Sequence, residues 1–136
     1  MSNTQKFYID GAWVDPLVPA SLDVINPATE EPIAKISMGT AKDVDRAVKA
    51  ARKAFPAFSR TTREERVALL QRILEAYKAR YDDIAVAISS EMGAPITLAT
   101  RAQAAIGVAH VTKMISVLKD YEFEHLEGPT LIAREA

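Results

Sequence analysis

Few side chains in this sequence could carry chemistry, and their spacing argues against most reactions. There is no cysteine, which excludes disulfides, thiolate nucleophiles and thiolate metal sites. The five glycines, Gly11, Gly39, Gly93, Gly107 and Gly128, stand too far apart to cradle a phosphate, so the chain holds neither a dinucleotide fingerprint nor a P-loop. His110 and His125 lack the helical spacing that presents two imidazoles to one metal. His110 reads as a packing residue on a largely apolar helix, and His125, among Glu124 and Glu127, as an exposed one. No serine occupies a nucleophile-elbow context. The carboxylate pairs Glu30/Glu31, Glu64/Glu65 and Asp82/Asp83 could serve as acid and base. Each falls at a turn or helix start, however, where a carboxylate complements orphan N–H groups and the helix dipole. Glu91 differs: it falls in the last turn of an expected helix, against the dipole, which hints at a specific partner. The plain alternative is an ion pair with a nearby Lys or Arg. No catalytic and no cofactor-binding residue is assigned.

The elements that must position these groups change character along the chain. Phe7-Tyr8-Ile9, Asp10-Gly11 and Ala12-Trp13-Val14 predict a hairpin, because Asp-Gly between β-prone runs favours a two-residue turn. Leu22–Ile25 and Pro32–Ser37 predict a second strand pair around a turn at Asn26–Glu31, where Pro27 removes a donor and forces Asn26 extended. From Thr40 the apolar period becomes helical. Thr40 with Asp43, and Thr61 or Thr62 with Glu64 or Glu65, predict reciprocal N-caps. The first helix places Val44, Ala47, Val48, Ala51 and Phe55 on one face and ends its regular part at Pro56. The second carries a stripe of Val67, Leu70, Leu74, Tyr77 and Tyr81, then restarts after a bend at Asp82-Asp83 and runs to Met92. Gly93 suits the left-handed residue past a helix end, and Pro95 the first turn of the next. The third long helix, about 96–121, carries Ala102, Ala105, Ile106, Ala109, Ile115 and Leu118 toward one or two buried faces. An acidic stretch, Glu122–Glu127, and a Gly128-Pro129 break lead to a final strand over 130–136.

Composition sets bounds around this pattern. The chain has 136 residues, 49% apolar and 26% charged, the profile of one soluble globular domain. Eleven Lys/Arg against five Asp/Glu lie within 42–80, but they interleave around helical turns without stacking aromatics. This reads as a solvated helix face, not a nucleic-acid surface. No apolar run approaches the roughly 20 residues of a membrane span, and the polar start Met1–Lys6 lacks a secretory signal. The expectation is a cytoplasmic protein that binds neither nucleic acid nor membrane.

Five motifs in order then carry a family resemblance. They are Phe7–Val14; Val24-Ile25-Asn26-Pro27-Ala28-Thr29; Asp43-Val44-Asp45 with Ala47-Val48 and Ala50–Phe55; Glu65-Arg66 with Leu69-Leu70; and Glu91-Met92-Gly93-Ala94-Pro95. The chain resembles the N-terminal portion of the NAD(P)-dependent aldehyde dehydrogenases. The resemblance implies an α/β parent with a Rossmann-like coenzyme domain. This segment alone would be α+β: N-terminal β-hairpins, three long helices and a terminal strand. Residues 1–121 would enter the coenzyme-binding domain and 122–136 would begin an oligomerisation arm. Members oxidise an aldehyde to a carboxylic acid with NAD or NADP through a cysteine thiohemiacetal, and their cysteine, glutamate and asparagine would lie beyond residue 136. The parent is expected to be a homo-oligomer, dimer or tetramer, acting on a small-molecule aldehyde. The chain alone is expected to be inactive and without cofactor.

Two roles carry over by position. The Ile25 carbonyl and the Glu91 carboxylate match ligands of a structural monovalent cation, a hard ion that takes oxygen donors. Ala102, Ile106 and Ala109 match a helix that lines the substrate tunnel, with core packing as the plainer role for each. Gly93-Ala94-Pro95 stands where the family has Gly-Lys-Pro, Phe58 where it often has Trp, and Lys113-Met114 where an aromatic pair is common, which leaves subfamily and substrate open. The expected origin of the chain is a truncated enzyme, since helices this apolar need a sheet to cover. A stand-alone helical interaction module and a shortened non-catalytic paralogue that assembles with full-length subunits are the alternatives.

Overall fold

Three strand pairs frame the chain in the computed structural model, which describes residues 3–133. In the first, β1 (Phe7–Ile9) pairs antiparallel with β2 (Ala12–Val14), with Ile9 opposite Ala12. Asp10 and Gly11 both take positive φ, 53° and 78°, as a two-residue type I′ turn requires. In the second, β3 (Ser21–Asn26) pairs with β4 (Glu31–Ser37). Val24 opposes Ala34 and Ile25 opposes Pro32, so Ile33 is the extra residue of a β-bulge. Pro32 is tolerated there because a bulge interrupts the ladder that a proline cannot join. The third pair corrects an expectation. The acidic stretch before Gly128 is itself a strand, β5 (Glu124–Glu127), paired with β6 (Thr130–Ala133). Gly128 at φ 60° followed by Pro129 makes the tight turn. The rest of the expected final strand, 134–136, lies outside the described residues. Every sheet among the described residues has two antiparallel strands.

Helix α1 (Ala41–Phe58) starts at Thr40, which forms the expected capping box with Asp43. It does not end at Pro56. Proline costs a helix one backbone bond, but Ser59 N–H still closes on the Phe55 carbonyl at 2.8 Å. The guanidinium of Arg66 then takes the carbonyls of Phe58 and Ser59 at 3.2 and 3.1 Å and lies over the Phe58 ring. A cation on the last carbonyls offsets what the proline removes. Helix α2 (Arg63–Ala79) is capped by Thr62 and Glu65, and α3 (Tyr81–Met92) follows a break at Arg80. Gly93 is left-handed, as expected, with φ 69°. Pro95 precedes the next helix instead of sitting in its first turn.

The expected third helix is not regular. It comprises α4 (Ile96–Leu98), a π-helical stretch (Ala99–Gln103) and α5 (Ala104–Asp120). Ala99 and Ala104 are both 0% exposed and pack on Ala85 of α3, with Tyr81, Ile84 and Ile88 around them. Five residues of α-helix turn through about 500°, which leaves i and i+5 about 140° apart. An i→i+5 bond brings them together instead, and Ala104 N–H does donate to the Ala99 carbonyl. The π stretch is therefore what lets both alanines face α3. It also shifts the buried set from the one expected. Ala104 is buried in place of Ala105, while Ile106 is half exposed and Ala109 exposed. Ile115 is buried as expected.

Two tyrosines hold this segment. Tyr77 of α2 donates its hydroxyl to the Ala104 carbonyl at 2.9 Å, and Tyr81 donates to the Thr100 carbonyl. In an α-helix the Thr100 carbonyl would take Ala104 N–H, which here goes to Ala99. The Tyr81 hydroxyl fills the place left open. The Tyr77 ring lies over Gly107, where a Cβ would come within 2.8 Å of Cε2 and closer still to Cζ and Oη. By contrast, the apolar face of α1 has little against it. Val44, Val48 and Phe55 are exposed. No helix among the described residues is long and apolar enough to cross a membrane.

Glycine inside an open helix costs about 1 kcal/mol relative to alanine, so Gly107→Ala in an unobstructed helix would stabilise. Here the added methyl must expel Tyr77 from its hydrogen bond. Urea unfolding is expected to show a loss of about 1–3 kcal/mol, the range for overpacking. A gain in stability would contradict the Tyr77 contact.

Candidate functional site

Asp43 is the one buried charged side chain among the described residues and so the first carboxylate to test for chemistry. Its Oδ2 accepts from the Thr40 hydroxyl at 2.7 Å and the Thr40 N–H at 2.9 Å, and its Oδ1 accepts from Leu17 N–H at 3.0 Å. The Thr40 hydroxyl bond above all, then the two backbone bonds, holds the carboxyl below the usual carboxylate range against the opposing effect of burial. A carboxylate so stabilised is a poor proton acceptor. Asp43 ties the loop after β2 to the start of α1 and is structural.

The Asn26-Pro27 turn and the end of α3 form a corner. Asn26 Oδ1 accepts from Ala28 N–H at 2.9 Å and its carbonyl from Glu30 N–H at 2.7 Å. This closes a loop that needs Glu30 at φ 61°. On the other side Gly93 N–H bonds the Ser89 carbonyl at 3.0 Å, and the Ser89 hydroxyl bonds the Ala94 carbonyl at 2.7 Å. A Cβ on Gly93 would lie 2.7 Å from Pro27 Cγ. Glycine is therefore required there twice, by its positive φ and by this contact. Ile25 and Glu91 each stand two residues from that contact, so the structure brings their two segments together. Among the described residues no group of three or more His, Asp or Glu side chains gathers for a metal. Backbone oxygens would have to share any ion held here.

Ala102 lies in the π stretch, and Ile106 and Ala109 follow in α5. Ala102 is half-buried, Ile106 is 50% exposed and Ala109 is exposed. They offer apolar surface with no hydrogen-bonding side chain. The first turn of α2 was not anticipated as a junction. Arg63 donates to the carbonyls of Lys119 and Tyr121 and lies over Phe123, while Arg66 holds the end of α1. Nor were the hydroxyls of Tyr77 and Tyr81 anticipated. The available signal was tyrosine at two successive positions of a stripe where leucine would pack as well. A surface groove of about 750 Å³ runs past Lys6, Asp15, Ser21 and Ser37. Its ion pair, Lys6–Asp15 at 3.6 Å, is exposed and offers no buried group to act on a ligand.

The family model described as the aldehyde dehydrogenase family matches residues 13–134. A 3-succinoylsemialdehyde-pyridine dehydrogenase from a Pseudomonas species is 46% identical over 136 residues, covering 99% of this chain and 28% of its own. An aldehyde dehydrogenase crystal structure from Bartonella henselae superposes with a TM-score of 0.91 at 44% identity, over 95% of this chain and 27% of that one. A mutant of aldehyde dehydrogenase C from Pseudomonas syringae, in complex with NAD+ and octanal, also gives 0.91, at 46% identity with the same coverage. The chain thus spans under a third of the length of the relatives it matches.

The bonds to Asp43 set a pH dependence. Because its folded-state pKa is lowered, the stability it contributes is fully present above the unfolded value of about 3.9. That stability is lost as pH falls through the folded value. Acid unfolding followed by circular dichroism is expected to show this limb in the wild type. Asp43→Asn should be less stable at neutral pH and should lack the limb. Superimposable acid limbs would show that Asp43 is not bound as described.

Proposed function

This chain belongs to the aldehyde dehydrogenase family, and on that premise we propose that it is the N-terminal part of an enzyme oxidising an aldehyde to a carboxylic acid with NAD or NADP. What supports this reading is the likeness along essentially the whole chain to aldehyde dehydrogenases, one of them solved with NAD+ and octanal. We assign no dinucleotide site to the residues of this chain. Gly11 and Gly128 serve turns, Gly93 a helix end and Gly107 a tyrosine contact, and the five glycines stand too far apart in sequence for a phosphate loop. No cysteine is present to act as nucleophile. The proposed contribution of the segment is to position, not to react.

Three parts carry that contribution. Residues 1–121 enter the coenzyme-binding domain, and their uncovered apolar faces, such as Val44, Val48 and Phe55, are surfaces for a sheet to cover. Residues 122–136 begin an oligomerisation arm of a homo-oligomer. Leu126 and Leu131 on the β5–β6 hairpin are 73% and 59% exposed, and the hairpin has open edges to add to a neighbouring sheet. At the corner, the Ile25 carbonyl and Glu91 hold a structural monovalent cation, and along the helix Ala102, Ile106 and Ala109 line the tunnel. Those three side chains favour an aldehyde with an apolar chain, which makes no demand for buried hydrogen bonds.

Coenzyme reduction by the full-length enzyme carrying this segment, measured over aliphatic aldehydes, tests the reaction. Calorimetry on the 136-residue chain tests the division of labour. The enzyme is expected to reduce NAD+ or NADP+, and the isolated chain to show no dinucleotide binding. Absence of turnover with every aldehyde overturns the first statement, and micromolar binding by the chain overturns the second.

A further inference from the structure

We propose that Tyr81 is a positioning residue for substrate selection: its hydroxyl keeps the π stretch open and so sets how Ala102 is presented beside Ile106 and Ala109. The proposal rests on the tunnel reading above and adds to it a determinant that touches no substrate. A π stretch inserts about one residue, or 100°, into the phase of a helix. The carbonyl it releases must find a donor or go unsatisfied at a cost. Here that carbonyl belongs to Thr100, and Tyr81 supplies the donor. Tyr81 is itself packed on the buried alanines Ala85, Ala99 and Ala104. Beyond the stretch, α5 is fixed separately, by the Tyr77 hydroxyl on the Ala104 carbonyl and by its ring on Gly107. Ile106 and Ala109 are therefore anchored through Tyr77 and Ala102 through Tyr81. Without the Tyr81 hydroxyl, the Thr100 carbonyl competes for Ala104 N–H as it would in an α-helix. The rotation that follows falls on the Ala102 side, because the Tyr77 contact holds the other. The shape of the apolar face changes along its length, and aldehydes that reach different distances along it are affected unequally.

The test uses the full-length enzyme with propanal and octanal as probes. Tyr81→Phe keeps the ring and removes only the donor. The ratio of kcat/KM for octanal to that for propanal is expected to move by about fivefold or more, the scale on which small pocket changes discriminate apolar substrates, with the change carried in KM. Val14→Ala, which removes packing in the first hairpin, is expected to leave the ratio unchanged. Ile106→Phe and Ala109→Phe test the tunnel reading separately. If neither moves the ratio, that reading falls and this proposal with it. If they move it and Tyr81→Phe does not, or if Val14→Ala moves it equally, the positioning role alone is overturned. Should Tyr81→Phe fail to fold, a variant lacking the exposed Arg101 serves instead. It leaves Ala99 and Ala104 four positions apart, the ordinary α-helical spacing for a shared face, and removes the π stretch. It too should shift the ratio, and an unchanged ratio overturns the proposal.

Discussion

Two phenolic hydroxyls directed at two backbone carbonyls hold the helical half of this chain together. Tyr77 and Tyr81 come from the end of α2 and the start of α3, on either side of the break at Arg80, and reach the Ala104 and Thr100 carbonyls. The break lets successive tyrosines act on one helix from two others. Between them the helix departs from its regular hydrogen bonds, and that departure turns Ala99 and Ala104 toward Ala85. The cluster of Ala85, Ala99 and Ala104 is built of alanines, so backbones approach closely and little apolar area is buried per contact. The polar anchors matter more here than they would in a core of leucines, since leaving a half-buried carbonyl unpaired costs about 1–3 kcal/mol.

Helix ends are joined by the same logic. The first turn of α2 presents Arg63 and Arg66 to the ends of α5 and α1, where unpaired carbonyls and the negative dipole end favour a cation. These junctions fix which way the helices run but cover few of their faces. Val44, Val48 and Phe55 on α1 and Ile106 and Met114 on α5 remain at least half exposed or nearly so. Two-stranded hairpins are marginal by themselves, and contiguous apolar surface of this kind marks where other protein packs. An aldehyde dehydrogenase segment that supplies helices and edge hairpins around a larger sheet would leave such faces open.

Much of this was legible in the residues, where local chemistry decides. Asp10-Gly11 specifies its turn, Thr40 with Asp43 and Thr62 with Glu65 specify their caps, and Gly93 its left-handed helix end, because each depends on atoms a few residues away. What was not legible depends on packing at a distance. Pro56 gave a reason to stop α1, and the offset comes from Arg66, ten residues on. Periodicity placed Ala105 inward because 3.6 residues per turn was carried through Ala99–Gln103. Through that stretch the residue sharing a face with Ala99 is five positions on, Ala104, instead of three or four. Gly107, unexplained by helix propensity, carried the trace of a ring lying on it. At the corner, the motifs around Asn26-Pro27 and Gly93 were legible separately. Their contact, Pro27 on Gly93, required the fold.

The packing of α3 on the helix that follows depends on the π-helical turn at Ala99–Gln103. Through-hydrogen-bond NMR couplings in isotope-labelled protein report directly which carbonyl each amide engages. A coupling from the Ala104 amide nitrogen to the Ala99 carbonyl carbon is expected, and none to Thr100. A coupling from Ala104 to Thr100 would mean a regular α-helix, leaving the Tyr81 hydroxyl without its place and the two buried alanines on different faces.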